Sequence, residues 1–330
     1  MNDNQPTPMQ KIWQLGLGFA TSNVIFTLVQ CEIIEQLKDA PKSLKEISEA
    51  CNVDADVLFR VLRFAHAIDL VAIEKETYAL TATGRFLQKG APGSLANGIL
   101  LLGTEPWQKS WNHLSHALTT GEPAFNNAMG SPFFEYLHQH PEYGNPYNNW
   151  MTTVSAMSAQ AICDAYNFTP YHSVCDIGGG HGGLLKAILQ ANPTLLGILF
   201  DQESVVKDHE LDDVLDRVEI ESGNFFHHVP SAEVLIMKSI IHDWDDEKSG
   251  LILSSCKRAM TPSSKLLLME MVIGDAHDLV GLFYDLHMQV LLGGRERTEE
   301  EFRALIESAG LQMTKIIPTK SPMKIIEVTL

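Results

Sequence analysis

The stretch Val174-Cys-Asp-Ile-Gly-Gly-Gly-His-Gly-Gly183 starts as an apolar run and ends in a loop that contains five glycines. The apolar run predicts a buried strand over 173–177, and the residues after the glycines predict a helix over 184–191. Strand, loop and helix then alternate toward the C-terminus, which is typical of an α/β domain with a mostly parallel sheet. Further strands are predicted at 195–200, 218–222, 234–241 and 266–272, with a terminal antiparallel pair within 313–328.

Polar residues lie at or near the ends of these predicted strands. Asp176 and Asp201 come late in the first two strands, His242 directly follows a third, and Glu270 interrupts the apolar run of a fourth. The run Gly223-Asn-Phe-Phe226 follows another strand. Because ligands of open α/β sheets bind at the carboxyl ends of the strands, we expect the functional site at this edge.

The spacing Gly178-x-Gly180-x-x-Gly183 is compatible with two kinds of nucleotide-bearing cofactor. It matches a dinucleotide-binding pattern, in which Asp201 would accept hydrogen bonds from a ribose. However, Asp176 lies just ahead of the glycines, where its carboxylate would repel a pyrophosphate. This acid favours a cofactor that carries positive charge.

The segment Ile240-Ile-His-Asp-Trp-Asp-Asp246 places an imidazole among carboxylates at the end of an apolar run. A histidine in that position can move protons for a bound substrate. The simpler alternatives are a buried histidine satisfied by the backbone at His242 and a structural ion pair at Glu270.

Composition limits the classes of partner. A formal net charge of -17 over 330 residues, with a pI near 5.1, repels nucleic-acid backbones and anionic membranes. The five cysteines form no CxxC pair, as expected in a reducing compartment. The N-terminus does not resemble a signal peptide, and no apolar stretch reaches about 18 residues. We therefore expect a cytoplasmic protein that binds neither nucleic acid nor membrane.

Metal binding is not predicted. The pairs His113-x-x-His116 and His138-x-His140 have usable spacings, but no third ligand or acidic cluster accompanies them. The sequence also shows no carboxylate cluster suited to magnesium.

The N-terminal part is predicted to be mainly helical. A broad apolar face over 11–37 suggests burial against another subunit. Ser43-Leu-Lys-Glu46 predicts a capping box, Asp54 or Asp56 starts another helix, and residues 71–80 alternate like a hairpin. Two helices and a hairpin make a winged helix-turn-helix, but 43–88 carries five Lys or Arg against seven Asp or Glu, which favours a structural role over DNA binding.

Four motifs together carry a family resemblance. Val174 to Gly182, Gly223 to Phe226, Lys238 to Asp245 and Gly293-Gly-Arg-Glu-Arg-Thr298 resemble the successive motifs of class I S-adenosylmethionine-dependent small-molecule O-methyltransferases. The group includes plant caffeate and flavonoid enzymes and their bacterial natural-product relatives. The resemblance implies a winged-helix-like dimerisation domain over 1–100, a helical linker and substrate-pocket region over 101–168, and a Rossmann-like catalytic domain over 169–330. It also implies a homodimer formed through the N-terminal helices.

The resemblance implies a site for S-adenosylmethionine, which leaves as S-adenosylhomocysteine. Asp176, Gly178 and Gly180 would hold the methionine part, and Asp201 the ribose. The remaining candidates are Gly223, Asn224, Phe225 on the adenine, Lys238 near the cofactor and Trp244 over the ring. The family commonly has aspartate where this chain has Asn224, whose carbonyl can still accept a hydrogen bond.

His242 resembles the general base of the family, and Glu270 and Glu296 resemble the acids that flank it. A phenol of pKa about 10 is only about a thousandth ionised at neutral pH, so a base near pKa 6.5 recovers up to about 4 kcal/mol. The acids can orient the ring and stabilise the imidazolium. Asp243 is a candidate substrate contact, although it or Asp245 could instead cap the following helix.

The acceptor is expected to be a small hydroxylated, aromatic or polyketide-like molecule. Candidate pocket residues are Trp107, Phe125, Asn126, Met151, Met157 and Met288. Apolar pocket walls and helical cores look alike in sequence, so a core role is the alternative for each apolar side chain.

The sequence is compatible with three other functions. Some proteins of this fold keep the cofactor but catalyse decarboxylation, hydroxylation or pericyclic reactions. The glycine pattern also admits an NAD-dependent dehydrogenase, and the N-terminal topology admits a winged-helix regulator.

Overall fold

The computed structural model describes residues 6–274 and 277–330, with the side chains of Thr152 and Met157 excepted. The chain forms two compact units. The first runs to Gln108 and also takes in His140–Trp150, and the second comprises Lys109–Gln139 and Met151–Leu330.

The first unit is mostly helical. Its helices are α1 (Pro8–Gly16), α2 (Gly18–Gln30), α3 (Ile33–Gln36), α4 (Leu44–Cys51), α5 (Ala55–Ala67), α6 (Ala96–Leu102) and the start of α7 (Glu105–Asn112), with a 3-10 turn at Gly84–Leu87. Strands β1 (Lys42–Ser43), β2 (Val71–Glu74) and β3 (Thr77–Leu80) form a sheet in the order β1-β3-β2. The predicted capping box at Ser43 and Glu46 is confirmed, as is the hairpin, in which Val71 pairs with Leu80.

The N-terminal helices carry an apolar face that this unit does not cover. Ile12, Trp13 and Phe19 are about 70% exposed. The segment Pro8–Gln30 is long and apolar enough to cross a membrane by length and composition alone, and only 11% of its most apolar window is buried. The expectation that no stretch reaches that length was wrong, because scattered small and polar residues lower the mean hydropathy only slightly.

The second unit contains helices on both faces of a sheet. Its helices are α8 (Leu114–Thr120), α9 (Ala124–Met129), α10 (Phe133–Gln139), α11 (Pro141–Ala165, which begins in the first unit), α12 (Gly183–Ala191), α13 (Glu203–Val206), α14 (Asp246–Ala259), α15 (Leu279–Leu291) and α16 (Glu299–Ser308). Its strands are β4 (Ser173–Ile177), β5 (Leu196–Asp201), β6 (Val218–Ser222), β7 (Val234–Lys238), β8 (Lys265–Ile273), β9 (Arg297–Thr298), β10 (Gln312–Pro318) and β11 (Met323–Thr329), with 3-10 turns at Asp212–Arg217 and Ile241–Asp243.

The sheet has the order β10-β11-β8-β7-β4-β5-β6, and β9 pairs with β8. Strands β4 to β8 run parallel, whereas β11 is antiparallel to both β8 and β10. This confirms the predicted mostly parallel sheet with an antiparallel C-terminal pair.

Alternation along the strands explains the two layers of core. Cys175 and Ile177 of β4 belong to the cluster on one face, whereas Val174 belongs to the cluster on the other. Because successive side chains of a strand point to opposite faces, a strand covered on both sides is apolar throughout. Asp176 is the exception in β4 and is only 2% exposed.

One boundary differs from the prediction in a way that matters for the site. Strand β7 ends at Lys238, not at residue 241, because Ser239 has φ of +56° and turns the chain out of the sheet. His242 therefore lies in the short 3-10 turn that follows and not directly at the strand end.

Candidate active site

The glycine loop after β4 lies against the end of β5. Gly178 and Gly180 have φ of +69° and +59°, a region that glycine adopts at little cost. A Cβ on Gly178 would come within 2.5 Å of the Ile240 side chain. The Asp201 carboxylate accepts the Gly180 N–H at 2.9 Å. The loop that was predicted to approach a cofactor is thus held in place by the acid predicted to bind its ribose.

Asp176 is buried with one unsatisfied oxygen. Within the described residues its Oδ2 has no hydrogen-bond partner. Burial raises the pKa of Asp176 to about 7, although the positive charge of Lys238 acts to lower it. A cationic group bound beside Asp176 would stabilise its charged form.

An aromatic cluster lies near the loop. Phe225 and Phe226 each make edge contacts with Trp244, with ring centroids 6.2 and 4.9 Å apart. The Gly223 N–H donates to the Asp201 carbonyl, and the Asn224 Oδ1 accepts the Phe226 N–H at 2.9 Å. The predicted Asn224 carbonyl therefore already has one partner, and its second lone pair is left for a ligand.

Three carboxylate side chains come together around His242. Its Nδ1 lies 2.8 Å from Glu296 Oε1 and 4.0 Å from Glu270 Oε2, and its Nε2 lies 3.4 Å from Asp243 Oδ1. Glu270 and Glu296 are 0% and 2% exposed. Asp245, and not Asp243, caps α14, which resolves the alternative raised by the sequence.

Charge in this cluster controls the protonation of His242. Burial opposes the imidazolium, but the carboxylates of Asp243, Glu270 and Glu296 outweigh it and raise the pKa of His242 to about 10. Burial raises the pKa of Glu270 to about 7 and that of Asp243 to about 6. The pKa of His242 in this cluster therefore lies well above the expected 6.5.

The turn after β7 supports Glu270 through its backbone. With Ser239 in the left-handed region, the Ile240 and Ile241 N–H groups both donate to Glu270 Oε1, at 3.1 and 2.8 Å. Successive N–H groups arranged in this way form a concave anion site. Glu270 is thus anchored by one oxygen, while its other oxygen is buried without a partner among the described residues.

His242, Glu270 and Glu296 are also close enough to hold a cation, since one possible ligand atom from each lies within 4.8 Å of the others. The family resemblance groups the same three residues as a base and its flanking acids, although they come from three separate motifs.

Arg297 was not identified from the sequence, although it lies in the predicted Gly293 to Thr298 motif. It is 1% exposed and donates to the carbonyls of Ile241 and Trp244 at 3.1 and 2.9 Å. It also bonds Asp246 Oδ1 at 2.8 Å. Arg297 therefore fixes both ends of the turn that carries His242.

Replacing Arg297 with Met is expected to lower the free energy of unfolding by about 3 to 5 kcal/mol, because buried carbonyls lose a charged donor. Urea denaturation would measure this change. Arg295→Met is the matched control, since Arg295 is about half exposed and should cost less than about 1 kcal/mol. Equal stability of the two variants would contradict the role assigned to Arg297.

The predicted pocket residues lie in different surroundings. Trp107 is 1% exposed in the first unit, beside Tyr147. Phe125 is fully buried against Phe133 and Tyr136, Met288 is 8% exposed, and Met151 is 36% exposed. Asn126 is half-buried, and the side chain of Met157 lies outside the described structure.

The sequence matches two protein-family models and several characterised relatives. Residues 111–312 match a family model described as an O-methyltransferase domain, and residues 13–90 match one described as an O-methyltransferase dimerisation domain. A phenazine O-methyltransferase of Lysobacter antibioticus is 35% identical over 95% of this chain and 94% of its own length. A 3-amino-4-hydroxybenzoate 4-O-methyltransferase of Streptomyces cremeus is 32% identical over 94% and 87%.

The fold also matches that of a solved methyltransferase structure. CalO1, a methyltransferase of calicheamicin biosynthesis solved in its S-adenosylhomocysteine-bound form, is 30% identical, covers 98% of this chain and 99% of its own, and has a TM-score of 0.89.

Proposed function

Because this chain belongs to the family of S-adenosylmethionine-dependent O-methyltransferases with a dimerisation domain, we propose that it methylates a hydroxyl of a small aromatic or polyketide-like metabolite with His242 as general base. The observation that carries the proposal is the 2.8 Å contact between His242 Nδ1 and Glu296 Oε1. Family membership removes the dehydrogenase and regulator hypotheses.

The described residues fit the cofactor of the family. Asp176 offers a buried, unpartnered carboxylate oxygen for an ammonium group, next to the positive-φ glycines. Asp201 offers carboxylate oxygens for ribose hydroxyls, and Phe225, Phe226 and Trp244 offer aromatic surfaces for the adenine. When bound, the cofactor supplies a methyl group made electrophilic by a sulfonium.

His242 would take the acceptor proton at Nε2. A carboxylate can only accept a hydrogen bond, so Glu296 holds the proton of the neutral ring on Nδ1 and leaves the Nε2 lone pair for the acceptor. Arg297 and Glu270 keep the turn, and hence the ring, in position. Positioning the ionised hydroxyl for in-line transfer then supplies much of the remaining rate enhancement.

A pKa of about 10 gives this mechanism a definite pH dependence. At neutral pH His242 holds both protons, so the enzyme must release one before the ring can accept the acceptor's proton. We therefore expect kcat/KM for methyl transfer to rise about tenfold per pH unit from pH 7 toward about 10. Glu296→Gln removes one charge that raises the pKa of His242, so the inflection should move down by about 1 to 3 pH units.

The experiment incubates the protein with labelled S-adenosylmethionine, EDTA and a panel of phenols, and follows products by mass spectrometry across pH 6 to 10. A gain of one methyl group supports the proposal, whereas loss of carbon dioxide or gain of oxygen would establish one of the repurposed chemistries. If the inflection in the pH profile reports ionisation of the phenol and not of His242, its pH will be the same in the wild type and in Glu296→Gln. A profile that is flat above pH 7 in both proteins, or a requirement for a divalent cation, would overturn His242 as the base.

We also propose that the exposed apolar face of α1 and α2 forms the homodimer interface, in a cytoplasmic protein. Support comes from the dimerisation-domain match, which covers 13–90 and thus most of the segment that is apolar enough to enter a membrane. A large exposed apolar patch on a helix is a common feature of subunit interfaces.

A further inference from the structure

His287 lies in an aromatic stack that the mechanism above does not use. It is on α15, is 8% exposed, and has its ring nearly parallel to Phe283 and Trp111, at centroid distances of 5.3 and 5.9 Å. Trp111 and Phe283 also stack on each other at 5.6 Å. The three rings form one aromatic stack in the second unit.

The hydrogen bond of Trp111 determines the tautomer of His287. The Trp111 indole N–H can only donate, and it points at His287 Nδ1 at 3.2 Å. Nδ1 must therefore be an acceptor, and the single proton of the neutral ring sits on Nε2. Burial lowers the pKa of His287 to about 4, so the ring stays neutral at physiological pH.

Nε2–H has no acceptor among the described residues. The described side-chain atoms that are both fully buried and unpartnered are Asp176 Oδ2, Glu270 Oε2 and Glu296 Oε2, so Nε2 reaches accessible space. His287 is 8% exposed as a whole, so this N–H is a donor that an otherwise buried ring presents to accessible space. An oxygen of a bound molecule would satisfy it.

The stack is connected to the catalytic cluster. Tyr284 precedes His287 by three residues on α15, which places both on one helix face, with ring centroids 6.4 Å apart. Burial, followed by the charge of Glu296, raises the pKa of Tyr284, so Tyr284 lies within electrostatic range of Glu296. Asp285 accepts the Glu296 N–H at 3.1 Å, which ties α15 to the loop before β9 that carries this acid.

We infer that His287 is a specificity-determining residue that donates a hydrogen bond from Nε2–H to a neutral carbonyl oxygen of the acceptor, while Trp111 and Phe283 contact its flat ring system. The inference rests on the proposed function and adds the substrate class, phenols that also carry a ketone, quinone or amide carbonyl. An anionic carboxylate is disfavoured because Glu296, which is linked to α15 through Asp285, would repel it and the neutral imidazole offers it no charge.

The test measures binding without requiring turnover. Calorimetry on the full chain saturated with S-adenosylhomocysteine compares 4-hydroxyacetophenone with 4-ethylphenol, and 6-acetyl-2-naphthol with 6-ethyl-2-naphthol. Each pair differs in the carbonyl oxygen. His287→Phe keeps a flat ring and removes the donor, whereas His287→Gln keeps an N–H near the position of Nε2.

The wild-type protein should bind the ketone of at least one pair about 5- to 100-fold more tightly than its partner, and His287→Phe should remove this preference while His287→Gln retains part of it. Affinity for S-adenosylhomocysteine should be equal in all three proteins. The absence of a preference in the wild type, or its persistence in the Phe variant, would overturn the inference.

A measurement on the wild type covers the case in which the Phe variant does not fold. Long-range proton–nitrogen NMR of the imidazole should show the Nε2–H tautomer at pH 7, and an Nδ1–H tautomer would overturn the inference. A protein that prefers ketones through His287 yet methylates no phenol would contradict only the proposed methyl transfer.

Discussion

Replacing His242 with Ala is expected to lower kcat for methyl transfer by about 100- to 10,000-fold, the usual range for a general base. The Kd for S-adenosylhomocysteine should change less than about threefold, because the proposed cofactor contacts come from the glycine loop, Asp201 and the aromatic cluster. Steady-state kinetics and calorimetry would measure the two effects separately.

His172→Ala is the matched control for His242→Ala. His172 also pairs with a carboxylate, that of Glu233 at 3.3 Å, but its side chain is 87% exposed and it lies just before the amino end of β4. This variant should keep wild-type kcat. A loss of less than tenfold in His242→Ala would mean that orientation of the acceptor, without proton removal by His242, accounts for most of the rate.

Replacing Asp201 with Ala should weaken binding of S-adenosylhomocysteine by about 100-fold, equal to about 2.7 kcal/mol. The variant loses the carboxylate proposed for the ribose hydroxyls, and also the 2.9 Å contact that holds Gly180 in its positive-φ conformation. The affinity of Asp201→Asn for S-adenosylhomocysteine should fall between those of the wild type and Asp201→Ala, since an amide oxygen can still accept the Gly180 N–H.

At saturating cofactor, kcat of Asp201→Ala should fall less than tenfold, because the His242 cluster is built from other elements. Calorimetry gives the Kd, and labelled-methyl transfer gives kcat. Asp216→Ala, an exposed aspartate in the 3-10 turn Asp212–Arg217, serves as the control. Unchanged affinity in Asp201→Ala would place the ribose elsewhere.

The turn at Ser239 is a feature of the site that the sequence did not predict. The apolar run to Ile241 reads as one strand, yet the chain leaves the sheet at Lys238. A single non-glycine residue at φ of +56° leaves no mark on an apolar pattern. The role of this turn is visible only in the tertiary structure, where Glu270 accepts hydrogen bonds from the Ile240 and Ile241 N–H groups that the turn exposes.

Arg297 and His287 were missed for a related reason. Arginine and histidine are usually exposed or partly exposed, so nothing local indicates that Arg297 is 1% exposed beneath two backbone carbonyls. The tautomer of His287 depends on Trp111, which is 176 residues away in the chain. The sequence could not separate pocket from core positions, and Phe125, one of the pocket candidates, packs within aromatic contacts.

The sequence alone determined the parallel α/β sheet, its antiparallel C-terminal pair, the position of the glycine loop and the order of the motifs, because each depends on periodicity and on nearby residues. The tertiary structure alone decided that Glu296 contacts Nδ1 of His242 at 2.8 Å while Glu270 stands 4.0 Å away. It also decided that three carboxylates together hold the pKa of His242 near 10. Electrostatic energy depends on distance and burial, and neither quantity is local to the chain.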